Sequence, residues 1–438
     1  MTVREITLSL LCDYEINGKY VNLSLSSHLT DKLSGEERGF LTALLYTTVE
    51  RKITYDYYIG AISGRSLDKI DPTTLNILRM GLCQIVHIDS VPDHAAVNET
   101  VALGRNPGEK SFVNGILRQA ARLKAEGKLP LPERSKKVSR YLSVAYSFPL
   151  WLVKHFISLY GEEGTEKLLE RFNTARYTDL TVNLTKTDKD TLIASLKEQG
   201  YEPFSFIDSP LSVRLGASVN PKKLSGFDEG LFFVQDAACA VSAEALGVCD
   251  GDNVIDVCAC PGGKSFAAAI LTPNGKVTSF DIHESKLSLI EDGARRLGLA
   301  NVSADVCDAV YPKEELFGCF DRVICDVPCS GLGVLGKKPD IRYRDNQSLQ
   351  NLPELQYEIL KASSKYLKDG GTIIYSTCTL NPEENERVVE RFLSENEGYT
   401  AVDFTVGDLA SSFGTLTLVP HIHGTDGFFI AKLRKEKI

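Results

Sequence analysis

Two cysteines stand where a thiol can do chemistry. Cys329 lies in Asp326-Val327-Pro328-Cys329-Ser330-Gly331, and Cys378 lies in Ser376-Thr377-Cys378-Thr379. Each follows an apolar run, 320–326 and 371–377, that reads as a strand, so both fall beyond strand ends in turn-forming sequence. A free cysteine is more often a small buried hydrophobe. That reading suits Cys12, Cys83, Cys239, Cys249, Cys307, Cys319 and Cys325 but fits Cys329 and Cys378 poorly. Asn381-Pro382-Glu383-Glu384 reads as a capped helix start, and a helix N-terminus beside Cys378 favours its thiolate. A thiolate beside a methyl donor suits methylation of cytosine. C5 of cytosine is a poor nucleophile, and a thiolate added at C6 makes it enamine-like. A carboxyl group near N3 supports the charge that develops, and Asp326 is placed for that.

The donor site is read from residues 253–265. Val254, Ile255 and Val257 form a buried strand, which stops at Pro261-Gly262-Gly263 and continues as a helix from Lys264 to Leu271. Glycines between strand and helix let backbone approach a ligand and aim helix N–H groups at an anion. A phosphate loop needs glycine where Cys258 stands, and G-x-G-x-x-G is also absent. A carboxylate-bearing nucleotide remains, and S-adenosylmethionine is the candidate. Asp281 ends the next strand, about twenty residues after the glycine pair, where an acid can accept from both ribose hydroxyls. A helix cap is its alternative role. Asp308, after a third strand, is placed for an adenine amino group, with a turn aspartate as the alternative.

These residues need a sheet that brings strand ends to one edge. Strands are expected at 253–258, 276–281, 301–306, 320–326 and 371–377, with helices near 285–297, 348–368 and 383–395. Segments 416–419 and 427–433 read as a late antiparallel pair. This is a doubly wound α/β pattern with ligands at the carboxyl ends of the strands. Residues 146–235 mix helices at 149–160, 163–173 and 188–199 with strands at 180–184, 211–215 and 230–234. Residues 1–125 keep helical apolar spacing and no sustained alternation, which predicts a bundle.

Net charge is −9, which by itself speaks against nucleic acid, but the charges are unevenly spread. Residues 1–140 hold 19 Lys and Arg against 16 Asp and Glu, and the remainder holds 30 against 42. Arg118, Arg122, Lys124, Lys128, Arg134, Lys136, Lys137 and Arg140 crowd one stretch, either as a phosphate-contacting patch or as a solvated helix and linker. Residues 337–344 interleave basic and aromatic types. There Lys337, Lys338, Arg342 and Arg344 could hold phosphates that flank a flipped base, with an ordinary exposed loop as the alternative. Eleven cysteines without regular spacing argue for a reducing cytoplasm. No apolar run approaches the roughly 20 residues of a membrane span.

The motifs together resemble a known family. Asp256-Val257-Cys258-Ala259-Cys260-Pro261-Gly262-Gly263-Lys264, Asp326-Val327-Pro328-Cys329-Ser330-Gly331, and Thr377-Cys378 with Pro382-Glu383-Glu384-Asn385 look like three motifs of the RNA cytosine-5 methyltransferases of the Sun/NOL type. Gln235-Asp236 and Gly427-Phe428-Phe429-Ile430-Ala431-Lys432 also fit. The helical front resembles a NusB-like RNA-binding domain, an order found in the bacterial enzymes of this family that act on small-subunit (16S) rRNA.

The resemblance implies a multidomain chain: an all-α NusB-like bundle at 1–130, a small α+β unit at 140–234, and an α/β Rossmann-like class I S-adenosylmethionine-dependent methyltransferase domain at 235–438. It implies Cys378 as nucleophile, Cys329 as the cysteine assisting product release, and Asp326 beside them. Cofactor contacts carry over to Cys258, Ala259, Cys260, Pro261, Gly262, Gly263, Lys264, Asp281, Asp308 and Asp326. Cys260 departs from the usual alanine; its side chain is only slightly larger, so the loop is expected to survive, while a thiol there could be oxidised. The expected partner is 16S rRNA, bound by a monomer that uses no metal and no membrane. Methylation of another RNA such as tRNA, a DNA cytosine-5 methyltransferase using the Pro-Cys cysteine, and an RNA-binding assembly factor with an idle catalytic part are the competing readings.

Overall fold

In the computed structural model, which describes residues 1–17, 33–174, 177–344 and 349–437, the chain is helical up to residue 174 and mixes strands with helices beyond it. Contacts divide it into two units, Met1–Asn173 with Leu335–Arg344, and Thr174–Val334 with Asp345–Ile438.

The first unit is built on helix Pro72–His87. Asp71 caps it by accepting from the Thr74 N–H, and proline takes the first helical position. Its Ile77, Leu78, Met80, Leu82 and Cys83 are fully buried. Helices Val3–Asn17, Gly35–Glu50, Lys52–Ser63, Asp93–Ala102 and Pro107–Ala125 add Leu10, Leu44, Ile59, Val97 and Leu117 to the same core. The stretch Leu150–Thr174 is interrupted at Gly161, whose φ of 70° ends one helix and begins another, as the sequence spacing predicts. No single described helix is long and apolar enough to cross a membrane.

The segment at 337–344 corrects an expectation. It forms a 3-10 turn, Pro339–Tyr343, within this helical unit. Arg342 is fully buried there. Its Nε and Nη2 donate to the Leu335 carbonyl at 3.3 and 3.2 Å, Nη1 donates to the Glu50 carbonyl at 3.3 Å, and the guanidinium lies 4.0 Å from the centre of the Phe148 ring. A side chain so enclosed does not meet a phosphate. Lys337 and Lys338 are exposed, and Arg344 is half-buried.

In the second unit, strands β1 (Thr178–Val182), β2 (Pro203–Phe204), β3 (Ser212–Leu215) and β4 (Phe232–Val234) form an antiparallel sheet ordered β2-β3-β1-β4. Helix Lys189–Glu198 lays Leu192 and Leu196 against its Leu180, Val182, Val213 and Phe232. Asp179 of β1 binds Arg214 of β3 through paired bonds of 2.5 and 2.7 Å and also accepts from the Ala237 N–H at 3.1 Å. That buried ion pair is tied to the first residue of helix Ala237–Ala245, which Asp236 caps by accepting from the Ala238 N–H at 3.0 Å.

The large sheet contains β5 (Asn253–Asp256), β6 (Lys276–Asp281), β7 (Val302–Val306), β8 (Phe320–Asp326), β9 (Leu367–Thr377) and β10 (Tyr399–Ala401). A separate hairpin, β11 (Thr405–Val406) with β12 (Leu409–Ala410), precedes β13 (Thr415–Leu418) and β14 (Phe428–Lys435). The order is β10-β14-β9-β8-β5-β6-β7, and β13 also pairs with β14. Strands β5 to β9 are parallel, and β14 is antiparallel to β9. Val254, Val277, Ile324 and Ile374 face one apolar layer with helix Gly263–Leu271, while Ile255, Phe280, Val323 and Ile373 face the other with helix Leu352–Ser364. Burial on both faces explains why these strands read as continuous apolar runs. The strand order reverses at β5, so the crevice for a ligand lies beyond the carboxyl ends of β5, β6 and β8.

Two helical expectations need trimming. The helix expected at 348–368 is Leu352–Ser364, because β9 already begins at Leu367. The helix expected from 383 is a 3-10 turn, Pro382–Glu384, broken at Asn385 before helix Glu386–Glu395. Asn381 caps only that short turn, and the α-helix N-terminus expected near Cys378 opens four residues later, at Asn385.

A candidate active site at the strand ends

The loop after β5 is pinned by its neighbours. Val257 N–H donates to the Ile324 carbonyl at 3.1 Å, and Ala259 N–H donates to the Phe280 carbonyl at 2.8 Å. Gly262 has φ of 107°, and a Cβ there would come within 2.5 Å of the Phe266 ring. A Cβ on Gly263 would come within 2.9 Å of the Gln235 side chain. Gly262 therefore requires glycine, a side chain at 263 would have to displace the end of Gln235, and the loop presents bare backbone. Below it Asp256 is buried, accepting from Ser265 Oγ at 2.8 Å, which itself bonds Ser279 Oγ at 2.9 Å. The other oxygen of Asp256 has no partner, and burial pushes its carboxyl up to about 7.

Asp281, at the end of β6, accepts from Cys260 N–H at 3.3 Å and from His283 N–H at 3.0 Å. The following helix is capped at His283 instead, so Asp281 faces the loop rather than serving as the helix cap. Asp308 is half-buried and accepts from Val310 N–H at 3.0 Å, the bond of a turn aspartate, with its second oxygen outside that bond. The Cys260 thiol is pushed up by burial and by Asp281, which works against its oxidation.

Lys264, the end of the loop motif, is buried. Its Nζ lies 2.6 Å from Asp326 Oδ2 and 5.0 Å from the centre of the Phe428 ring. Burial alone would lower its pKa, but Asp326 outweighs burial and holds the ammonium charged. Ser376 Oγ donates to the other oxygen of Asp326 at 2.8 Å. Asp326 is thus fixed from β9 on one side and from the cofactor loop on the other.

The two cysteines meet. Cys329 Sγ and Cys378 Sγ are 3.1 Å apart, both half-buried. The hydrogen bond to Cys378, and then burial, push the Cys329 thiol well above its ordinary range. Such a pair gives up one proton far more readily than two. Gly333 N–H donates to the Cys378 carbonyl at 2.9 Å and bonds the two turns together, leaving no room for a side chain at 333. Among the cysteines expected to be buried, Cys83, Cys307 and Cys325 are, Cys12 and Cys239 are half-buried, and Cys249 and Cys319 are exposed. The last two lie just ahead of β5 and β8, in connections that reach the surface.

Sequence reasoning missed the groups that hold this site. Ser376 and Gln356 carried no signal of their own, and Glu384 and Asn385 were read only as motif residues opening a helix. Ser376 stood in view beside Thr377-Cys378, and strand alternation from the buried Ile374 could have marked it. Among the described residues, no group of three or more His, Cys, Asp or Glu is placed to hold a metal ion.

Known proteins are similar to this one along nearly the whole chain. A protein described as probable ribosomal RNA small subunit methyltransferase B, from Bacillus subtilis (strain 168), is 35% identical over 99% of this chain and 99% of its own. One from Synechocystis sp. is 36% identical over 99% of this chain and 100% of its own, and one from Escherichia coli (strain SE11) is 32% identical over 93% of both. The chain belongs to the ribosomal RNA small subunit methyltransferase B family. Three family descriptions divide it in the same order: NusB over 1–122, the RsmF/B-like ferredoxin-like domain over 148–220, and 16S rRNA methyltransferase RsmB/F over 243–434. The solved structure of PH0851 is similar with a TM-score of 0.79 and 26% identity, over 99% of this chain and 98% of that one. NSun6 from Pyrococcus horikoshii, solved with SFG, shares the fold over 67% of this chain and all of its own, with a TM-score of 0.60 and 23% identity.

As a member of the methyltransferase B family, the protein is an S-adenosylmethionine-dependent rRNA methyltransferase. Its residues fit that cofactor. The bare glycine backbone suits a carboxylate, and Asp281 offers carboxylate oxygens for ribose hydroxyls beside it. The cofactor supplies an electrophilic methyl group on sulfur.

Proposed function

We propose that the protein methylates C5 of a cytosine in 16S rRNA through a covalent adduct at C6. Cys378 Sγ forms the bond to C6, and the electron pair of the C5–C6 double bond moves to C5. C5 takes the methyl group, and the methyl–sulfur bond breaks. A base then removes the C5 proton, the double bond re-forms, and the Cys378 sulfur leaves. Cys329, as a thiol 3.1 Å away, donates its S–H to the departing sulfur. Asp326 supports the charge at N3, steadied by Lys264 and Ser376. The observation that carries this reading is the close approach of the two thiols, one turn beyond Asp326.

The loop Cys258, Ala259, Cys260, Pro261, Gly262, Gly263 and Lys264, with Asp281, takes the cofactor in this reading, and Asp308 takes the adenine amino group. Exposed Lys337 and Lys338, with Arg344, contact RNA phosphates. The protein works as a monomer, and in the cytoplasm, a reducing compartment that suits its eleven cysteines. Domain limits near 1–130, 140–234 and 235–438 belong to the same proposal.

The test separates the cysteines. Cys378→Ala is expected to bind RNA reversibly and transfer no methyl group. Cys329→Ala is expected to accumulate a protein–RNA adduct that survives a denaturing gel, because elimination stalls. Turnover alone does not distinguish them, since losing either member of a catalytic set can cost orders of magnitude. A stable adduct in Cys378→Ala and none in Cys329→Ala would place the nucleophile at Cys329.

A further inference from the structure

Glu384 is a fully buried carboxylate whose hydrogen bonds reach the turn that carries Cys329. Its Oε2 accepts from Ser330 N–H at 2.8 Å and from Gln356 Nε2 at 3.0 Å, and its Oε1 accepts from Asn381 Nδ2 at 3.0 Å. Gln356 Nε2 also donates to the Pro328 carbonyl at 2.9 Å. The backbone on both sides of Cys329 is therefore tied to one pair of side chains. The three partners of the carboxylate are all N–H donors, and none of them is a cation. A buried charge met only by dipoles raises the energy of a second negative charge nearby. A thiolate at Cys329, one residue from Ser330, would be that second charge.

The backbone next to Cys378 is held by a neutral side chain, and Glu384 reaches that turn only through Asn381, three residues on. Thr377 Oγ1 donates to Asn385 Oδ1 at 2.6 Å, and Asn385 Nδ2 donates to the Thr379 carbonyl at 3.0 Å. Ser330 Oγ and Thr379 Oγ1, 2.7 Å apart, join the two turns. The thiols are thus alike in exposure and different in what anchors them. We propose that Glu384 is a positioning residue that keeps the proton on Cys329 and so leaves Cys378 as the thiol that ionises and attacks. This rests on the assignment of Cys378 as nucleophile made above. The high position of the Cys329 thiol agrees in direction, since the charge of Glu384 adds to the effects of Cys378 and of burial.

The test follows the ionisation of Cys329 in the full chain carrying Cys378→Ala, which removes the coupled thiol. Alkylation by iodoacetamide is measured against pH at the Cys329 peptide by mass spectrometry. Adding Glu384→Gln is expected to lower the midpoint by about one pH unit, the low end of the effect of a nearby charge. Below both midpoints that gives about tenfold more thiolate and, after the weaker nucleophilicity of a more acidic thiol, about threefold faster alkylation. Adding Gln356→Leu instead removes a donor from the carboxylate while keeping its charge, so the midpoint is expected to rise. An unmoved midpoint in Glu384→Gln, or a fall in both variants, overturns the proposal, because a common fall marks loosened packing. Where Glu384→Gln does not fold, Gln356→Leu decides alone, a rise supporting the proposal and a fall or no change overturning it. The nucleophile assignment is read separately, from the adduct gel. A midpoint that falls as expected, beside an adduct formed at Cys329, would sink that assignment and leave the action of Glu384 intact.

Discussion

Arg342 gives the sharpest test of how the basic residues divide between architecture and RNA. Arg342→Met keeps most of the side-chain volume and removes the guanidinium. Two carbonyls, Leu335 and Glu50, lose donors at 3.2 to 3.3 Å, and the Glu50 carboxylate, buried and 3.9 Å from Nη2, loses a cation. Removing one partner of a buried charged set costs about 3–5 kcal/mol. The Glu50 contact is long and Arg51 stands 3.6 Å from the same oxygen, so about 3 kcal/mol is the expected loss. For a unit of this size each kcal/mol lowers the melting midpoint by about 2–4 °C, giving about 6–12 °C in all. The assay is thermal unfolding by circular dichroism, paired with RNA binding at several salt concentrations. At temperatures where both proteins are folded, Arg342→Met is expected to bind RNA with an unchanged salt slope. A variant that melts like the parent but binds RNA more weakly would refute the structural role and return Arg342 to the RNA surface.

Asp256 predicts a pH dependence. Its carboxyl, raised by burial from 3.8 to about 7, keeps a proton when folded that the unfolded chain has released, so between those values stability falls as pH rises. The gap of about three pH units corresponds to about 4 kcal/mol, present in full below pH 4 and lost above pH 7. Asp256→Asn should flatten that decline in urea unfolding from pH 5 to 8, and an equally steep decline would show that another group causes it. Lys137 and Arg140 are exposed, whereas Arg134 is tied to Glu166 at 2.5 Å. Lys137→Gln with Arg140→Gln should flatten the logarithmic salt dependence of rRNA binding by about 1.4 to 1.8, at 0.7 to 0.9 per phosphate contact, and an unchanged slope would remove them from the interface.

The central parallel strands were legible because β5, β8 and β9 each carry a buried apolar run, Val254-Ile255, Val323-Ile324 and Ile373-Ile374, and the turn residues at their ends follow at once in sequence. That is why Asp281, Asp326, Cys329 and Cys378 could be placed at one edge before any coordinates. The reading failed where local sequence carries two meanings. Asn381-Pro382-Glu383-Glu384 has the cap and proline of an α-helix, yet Asn385, at φ −111° and ψ −99°, ends the turn so that its side chain can clasp Thr377 and Thr379. The alternation of basic and aromatic residues at 337–344 suits an RNA surface and equally a cation stacked on a ring, and burial of Arg342 against Phe148 selects the second.

Gln356 reaches Glu384 across 28 positions of sequence, and the pairing exists only because helix Leu352–Ser364 packs against β8 and the turn Pro382–Glu384. Short motifs could place the reacting atoms, but only the fold brings a buried charge to one thiol and a neutral amide to the other. Two cysteines on equivalent turns would otherwise compete for the same proton. In the proposed reaction, the asymmetry between Glu384 beside Ser330 and Asn385 beside Thr377 and Thr379, adjacent in sequence, is what would let neighbouring thiols take different roles.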